Sequence, residues 1–583
     1  MFCPECGTKI EDNNRFCPEC GTKIEEVKVN EQIVTTQEEL PTNSNEEDKS
    51  DSEVFARGIL FTNTNLLAKS MECSTDDITT LLHKFIEIKA EAGIKYHLLD
   101  AADYTYQKEG FFSKARRVSL NEKSDVWDYT DILYDFYKRL SKKKGNEPNY
   151  LFIIGGDDVI PMPCVKHYIA DDKHDDSIDT DILYAYPYGK QMLPLLENQE
   201  IFKYDQLFFI GRLPFGTDAS INDLSSYLQR DINNTYGIPF NEAYGQCDPN
   251  WKNTSSKVAK GIYRYFRNFD GRLSNEYYFN RIILSPMVHA GNVAEIFHKD
   301  ASLFYFNLHG GKALQSRGYA GAEQGGSRTF SVIVPEHMAT CEQSNIVVSE
   351  ACYGGRFIGF DKHHSMLLSS IHTNSMAFVG SSRVAWGGCD RPTTTPQNAY
   401  IGNADIIAQS FIDAMLQGYT TGQAMFIARS QVLQQHQEGD PRAALTVVEF
   451  NLYGDPIIFF DIDSEDNKSA KEVELVPYAD KDATLGCKTS EIQSSNSGSI
   501  LDQVRNAVNA NIMQIHQTIG TYLYKNYGLE PRQPQSIIRM QYNNGKEEYS
   551  FNYATSDKDS ETPMYMSVTT SVNGDILSVE SSK

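Results

Sequence analysis

The sequence predicts an α/β protein built on a doubly covered, mostly parallel sheet, with a small metal-binding unit before it and an α+β unit after it. Three observations carry this reading. Between residues 55 and 465, short apolar runs alternate with stretches of helical periodicity, the pattern of parallel strands buried on both faces. The segment FCPECGTKIE occurs at 2–11 and again at 16–25. Beyond residue 498 a long amphipathic stretch precedes four strand-like segments. A chain of 583 residues is long enough for several domains, and its 40% apolar and 23% charged content is that of a globular protein.

The N-terminal repeat places Cys3-x-x-Cys6 and Cys17-x-x-Cys20 in two matching turns within residues 1–25. Each turn aims two thiolates at one point, and four such ligands in a tetrahedron suit a structural Zn2+. So short a segment buries no useful core, so metal binding, worth roughly 10–16 kcal/mol in small zinc peptides, is expected to fold it. All four positions are cysteine, which leaves no open site for chemistry. The segment resembles the short zinc ribbons at the N-termini of many cytosolic bacterial proteins. The other seven cysteines are scattered, and Met1-Phe2-Cys3-Pro4 opens no basic-then-apolar leader, so reduced thiols and a cytoplasmic location are expected. Residues 26–54, acidic and without periodicity, read as a disordered linker.

Gly58–Phe61, the amphipathic Asp76–Ala92 and Tyr96–Leu99 form a strand–helix–strand unit. A helix over Asp125–Leu140 leads to a strand at Leu151–Ile154, dividing the body into subdomains 55–150 and 151–465. Further strands are expected at Leu207–Ile210, Leu303–Leu308, Ile346–Ser349 and Met376–Val379, and further helices at Asn222–Asp231, Ser255–Phe269 and Ile406–Leu416. Reactive residues in such sheets sit just past strand C-termini. One strand delivers His309 into Gly310-Gly311; the next delivers Cys352 toward Gly354-Gly355. Singly, each has a plain reading, a buried cysteine or a histidine bonded to backbone. Together they form the pair that nucleophilic peptide cleavage needs.

Several motifs then stand in order: Phe85-Ile86-Glu87-Ile88-Lys89-Ala90-Glu91-Ala92-Gly93, Phe152–Pro161, Thr180–Ala185, Phe209–Pro214, the His-Gly and Ala-Cys segments, and Tyr453-Gly454-Asp455-Pro456. This series, over residues 57–463, resembles the gingipain-type cysteine peptidases, with caspases, legumains and separases as more distant relatives. The resemblance implies a caspase-like fold and a polypeptide substrate. It makes Cys352 the nucleophile, His309 the general acid/base, and the N–H groups of Gly310 and Cys352 an oxyanion hole. It also implies an acidic partner for the histidine, for which Asp171 or Asp172 is the expectation. Asp181 matches a carboxylate that binds a basic P1 side chain in the S1 pocket, and Trp386 an aromatic wall of that pocket. Cleavage after Arg, then Lys, is the implied specificity. The alternative is that Asp175, Asp176, Asp179 and Asp181 form a solvated acidic loop or an oxygen-ligand Ca2+ site.

Residues 466–497 read as a second linker, and 498–583 as an α+β domain. Its helix carries Ile500, Leu501, Val504, Val508, Ile512, Ile515, Ile519 and Leu523 on one face. Strands follow at Ile537–Tyr542, Tyr549–Tyr553, Tyr565–Thr569 and Ile576–Val579, with Asn573-Gly574 as a hairpin turn. The formal charge of −24 opposes nucleic acid as a partner, and no apolar run approaches the roughly 18 residues of a membrane span. An intracellular peptidase must be held inactive, so the ribbon or the C-terminal domain is a candidate seat for a regulatory protein. Self-cleavage after Lys49 or Arg57 would detach the ribbon. The rival reading is a silent caspase-fold scaffold that docks a partner through the ribbon.

Overall fold

The computed structural model describes residues 54–583 apart from 111–112, 119, 121–123, 143–144, 167–176, 268–277, 294–295, 312–317, 323–328, 436–440, 463–472, 484, 493–509, 530–532 and 556–563. The ribbon cysteines and the first linker lie outside the described residues.

The body is organised by one sheet. Its strands in chain order are β1 (Ala56–Thr62), β2 (Ile94–Asp100), β3 (Tyr150–Ile154), β4 (Phe209–Leu213), β5 (Ala243–Cys247), β6 (Tyr278–Phe279), β7 (Ile282–Leu284) and β8 (Leu303–Asn307). A hairpin of β9 (Tyr319–Ala322) and β10 (Thr329–Ile333) stands outside it, and β11 (Asn345–Ser349) and β12 (Ser375–Ser381) return to it. After β13 (Trp386–Gly388), which belongs elsewhere, β14 (Phe450–Gly454) completes the sheet. The spatial order is β6-β7-β5-β8-β11-β12-β14-β4-β3-β1-β2.

Pairing is parallel except at β6/β7 and at β12/β14. The second exception divides the sheet into two parallel halves that run in opposite directions. In one half, the C-terminal ends of β5, β8, β11 and β12 therefore lie along a single edge. The strands are buried along their whole length in β3, β4, β5, β8, β11, β12 and β14, as a parallel sheet covered on both faces requires.

A helix over Thr64–Ser70 is followed by a longer one over Thr75–Glu91, with the Ser74 hydroxyl accepting the Asp77 N–H and Ile78, Leu82 and Phe85 buried on its sheet face. Lys89 on that face is 2.6 Å from Asp231 and 3.8 Å from Asp455, all three buried. The Tyr96 hydroxyl donates to Asp455 at 2.5 Å. The Tyr453–Pro456 motif thus locks two helices to the sheet. Gly454 has φ of 109°, and a Cβ there would lie 2.1 Å from the Met376 carbonyl.

Two expectations are corrected. Ser255–Phe269 is not one helix: an α-helix over Lys252–Val258 passes into a 3-10 helix over Ala259–Tyr265. Arg57 lies inside β1, in register with Lys95 of β2, so it is no part of a linker and no exposed cleavage point.

The C-terminal unit is a six-stranded antiparallel sheet with a helix over Ala510–Tyr527 packed on it. Its strands are β15 (Cys487–Glu491), β16 (Ser536–Tyr542), β17 (Glu547–Ala554), β18 (Tyr565–Ser571) and β19 (Ile576–Ser582). The sequence stretch read as a linker over 466–497 supplies β15. The sixth strand is β13, contributed by the α/β body and paired with β19.

Candidate active site

β8 and β11 are parallel neighbours, with Phe306 opposite Ser349, so the turns after them lie side by side. A Cβ at Gly310 would sit 1.9 Å from the Cys352 carbonyl oxygen. Only glycine lets the histidine turn approach the cysteine turn this closely. The β9–β10 hairpin is pinned above: the His309 N–H donates to the Ala320 carbonyl at 2.8 Å, and the Ala320 N–H donates back at 2.9 Å.

His309 is buried, its ring edge-on to Trp251 at 4.5 Å between centroids. Its Nε2 lies 3.6 Å from Asp248 Oδ2, close enough for ion pairing and too long for a hydrogen bond. Asp248 follows β5, the strand next to β8. It accepts the Ala322 N–H at 2.5 Å and both the N–H and the side-chain amide of Asn250 at 2.8 Å. Asp171 and Asp172 lie outside the described residues; Asp248 is the carboxylate that stands beside His309. No apolar run marks β5, whose sequence is AYGQC, so periodicity gave no reason to look at its end.

Burial pushes the Asp248 carboxyl up to about 7 against the pull of its amide donors. Burial, with the Lys583 ammonium adding to it, pushes the His309 imidazole down to about 3. Burial also pushes the Cys352 thiol up to about 12, against a smaller opposing pull from backbone hydrogen bonding. The resting pair is therefore a neutral thiol and a neutral imidazole. The thiol faces the Ala385 carbonyl at 3.7 Å, and among the described residues no hydrogen bond joins it to His309.

One carbonyl oxygen is held between the histidine turn and the cysteine turn. The Lys583 carbonyl accepts the Cys352 N–H at 3.2 Å and the Gly310 N–H at 3.4 Å. These are the two donors expected from the sequence.

The expected S1 residues fare differently. Asp181 is 3% exposed and bound in bidentate fashion by Arg212, Nε at 2.8 Å and Nη2 at 2.6 Å. Arg212 also donates to the carbonyls of Gly155 and Ile160, which closes the network. The Asp181 carboxylate is thus engaged in holding β4 to the loop after β3, and the S1 expectation is corrected here: no contact links it to Cys352, His309 or Lys583 among the described residues. The same pair leaves Asp181 no role in a calcium site, Asp175 and Asp176 lie outside the described residues, and no metal-holding group of three or more His, Cys, Asp or Glu occurs among the described residues. Trp386 does lie at the cleft, packed with Cys352, Tyr353 and Val384. The Arg442 guanidinium covers its ring at 4.7 Å, so it is a wall of the cleft beside the thiol.

A zinc-ribbon domain model matches residues 2–24, the stretch that holds Cys3, Cys6, Cys17 and Cys20. Among solved structures, the chain is similar to the Arg-specific cysteine proteinase gingipain R, at 11% identity and a TM-score of 0.44, over 91% of this chain and 98% of that one. It is similar to the complex of Porphyromonas gingivalis RgpB pro- and mature domains, at 11% identity and a TM-score of 0.42, over 90% and 99%. The Saccharomyces cerevisiae separase–securin complex is similar at 11% identity and a TM-score of 0.29, over 59% of this chain and 18% of that one. No curated protein matches the sequence. The mostly parallel α/β fold expected from the motif order is the one observed, with an N-terminal zinc-ribbon domain and a strand-rich C-terminal sheet. No helix among the described residues is long and apolar enough to cross a membrane.

Proposed function

We propose that the chain is a cysteine endopeptidase that cleaves polypeptides after basic residues. The observation that carries this reading is the convergence of the Gly310 and Cys352 N–H groups on one carbonyl oxygen, beside an imidazole and a thiol on adjacent strand ends. In the reaction, the Cys352 proton passes to His309 and the sulfur bonds to the substrate carbonyl carbon. The two N–H groups hold the resulting oxyanion. Collapse breaks the C–N bond, and His309 gives its proton to the leaving amine. His309 then takes a proton from water, whose oxygen attacks the thioester, and the thiol is regenerated as the acid leaves. Asp248 orients the imidazole and offsets its charge.

Cys3, Cys6, Cys17 and Cys20 would hold a structural Zn2+ whose role is to fold the ribbon. Because those thiols bind metal only when reduced, we place the protein in a reducing, cytoplasmic compartment. The ribbon is a docking unit for a regulatory protein in this reading. The test is hydrolysis of fluorogenic peptidyl-Lys and peptidyl-Arg amides by the full chain. Cys352→Ala and His309→Ala should each lower the rate by roughly 10²–10⁴-fold; activity that survives Cys352→Ala would remove the assignment.

A silent scaffold is favoured by one observation, the neutral thiol bonded to a carbonyl in a filled cleft. A peptidyl-Lys acyloxymethylketone separates the two, since a scaffold does not react with it at Cys352.

A further inference from the structure

The last residues of the chain lie across the candidate active site, and their placement is that of a ligand. β19 runs antiparallel to β13, pairing Ser582 with Trp386, Ser581 with Gly387 and Glu580 with Gly388. The Lys583 N–H continues the ladder to the Ala385 carbonyl at 3.0 Å. An extended segment added to a strand beside a nucleophile, with its next carbonyl between two converging N–H groups, is how a peptidase holds the acyl half of a substrate.

The Lys583 side chain turns into a closed pocket and is fully buried. Its ammonium lies 3.2 Å from Asp405 Oδ1 and 4.0 Å from Glu350 Oε2, donates to the Gly388 carbonyl at 3.1 Å, and faces the Trp251 ring at 4.4 Å. Both carboxylates are fully buried and held in place. Asp405 accepts the N–H groups of Gly388 and Gly402 at 2.5 and 2.7 Å, and Glu350 accepts the Tyr305 hydroxyl at 2.7 Å. Burial, with the Asp405 charge adding to it, holds the Glu350 carboxyl well above its usual range and favours its neutral form, so Asp405 is the carboxylate that pairs with the ammonium and Glu350 a polar neighbour. A Cβ at Gly387 would stand 2.2 Å from Lys583 Cε, so the pocket has room for an unbranched stem because that residue is glycine. Further along, Ser581 accepts the Trp251 indole N–H at 3.0 Å, and Arg442 binds Glu580 at 3.1 Å.

We propose that Asp405, Glu350, Trp251 and Gly387 form an S1 pocket for a lysine side chain, and that the segment 576–583 occupies it as a resident competitor of polypeptide substrates. This rests on the peptidase reading and assigns its specificity to residues other than Asp181. Asp405 Oδ2 already accepts two backbone N–H groups and Glu350 Oε1 the Tyr305 hydroxyl, so each carboxyl group turns a single oxygen to the ammonium rather than the parallel pair a guanidinium prefers. Lysine is therefore preferred over arginine.

The test uses the full chain and two separate readouts, the rate of Cys352 alkylation by iodoacetamide and the hydrolysis of peptidyl-Lys, peptidyl-Arg and peptidyl-norleucine amides. Lys583→Ala should raise the alkylation rate tenfold or more, and the free peptide ILSVESSK should reverse this where ILSVESSA does not. Lys583→Met, which keeps the stem, guards against misfolding and should release the cleft as well. In the Lys583→Ala background, Asp405→Asn and Glu350→Gln should each reduce the preference for Lys over norleucine at least tenfold. Wild-type alkylation rates in both Lys583 variants, with no effect of the peptide, would overturn the resident-competitor role. A Lys preference unchanged by both carboxylate variants would overturn the pocket. Faster alkylation that ILSVESSK reverses, without hydrolysis of any amide, would support the occupied cleft while defeating the peptidase reading.

Discussion

At the residue scale the site is set by close main-chain approach. Gly310→Ala places a methyl group 1.9 Å from the Cys352 carbonyl, so the two turns must separate. The expected outcome is a loss of about 1–3 kcal/mol of stability in denaturant melts, together with loss of hydrolysis. Asp181→Asn removes one member of a fully buried bidentate pair and leaves Arg212 uncompensated, a change that costs about 3–5 kcal/mol where such pairs have been broken. A melt reads that loss; in protein that remains folded at lower temperature, the Lys-to-Arg preference should be unchanged. Asp248 predicts a pH dependence with a definite sign. Its carboxyl titrates near 7 when folded and near 3.8 when unfolded, so the stability tied to its neutral form is present below pH 3.8 and lost as pH rises to 7. The melting temperature of Asp248→Asn relative to wild type should therefore increase between pH 4.5 and 8, while its kcat/KM falls by about 10²-fold.

At the element scale, one strand belongs to two sheets' worth of function. β13 follows β12 out of the catalytic edge and becomes the edge strand of the C-terminal sheet, where β19 covers it. An edge strand beside a nucleophile exposes unpaired N–H and C=O groups, and a polypeptide lying along it is held in register without reference to its side chains. The anchor within this sheet is Arg442, from the helix Pro441–Glu449. It reaches Glu580, Ser550, Asn552 and Ser567. Arg442→Ala leaves Glu580 buried without its charge partner, and about 3–5 kcal/mol of stability should be lost. Hydrogen exchange is the sharper reading: amides of β18 and β19 should lose protection before those of β11 and β12.

At the scale of the whole molecule, two oppositely directed parallel half-sheets bring four strand ends to one edge. Asp248, His309 and Cys352 follow three of those ends, and Trp386 follows the fourth. The zinc-ribbon domain matched over residues 2–24 is proposed to draw its stability from metal binding. A zinc chelator should release one Zn2+ per chain without lowering the melting temperature of the body, as read by metal-indicator absorbance and a thermal melt. Release accompanied by unfolding of the body would show that the ribbon is part of its core.

The sequence alone determined the elements and the placing of His309 and Cys352 after adjacent strands. Apolar runs mark β1, β3, β8, β11 and β12, and glycine-flanked turns at strand ends mark His309 and Cys352, because burial and backbone clearance are written locally in residue type. It also determined the cysteine spacing that a zinc-ribbon domain requires. What only the tertiary structure decided is who partners whom. Asp181 carries the same carboxylate whether it faces a substrate or Arg212, and Asp248 ends a strand with no apolar signal. Lys583, Asp405 and Glu350 come from distant parts of the chain, and nothing in their local sequence foretells an ion cluster. Charge pairing depends on distances of a few ångströms between segments hundreds of residues apart, and those distances are created by the packing of the sheet halves.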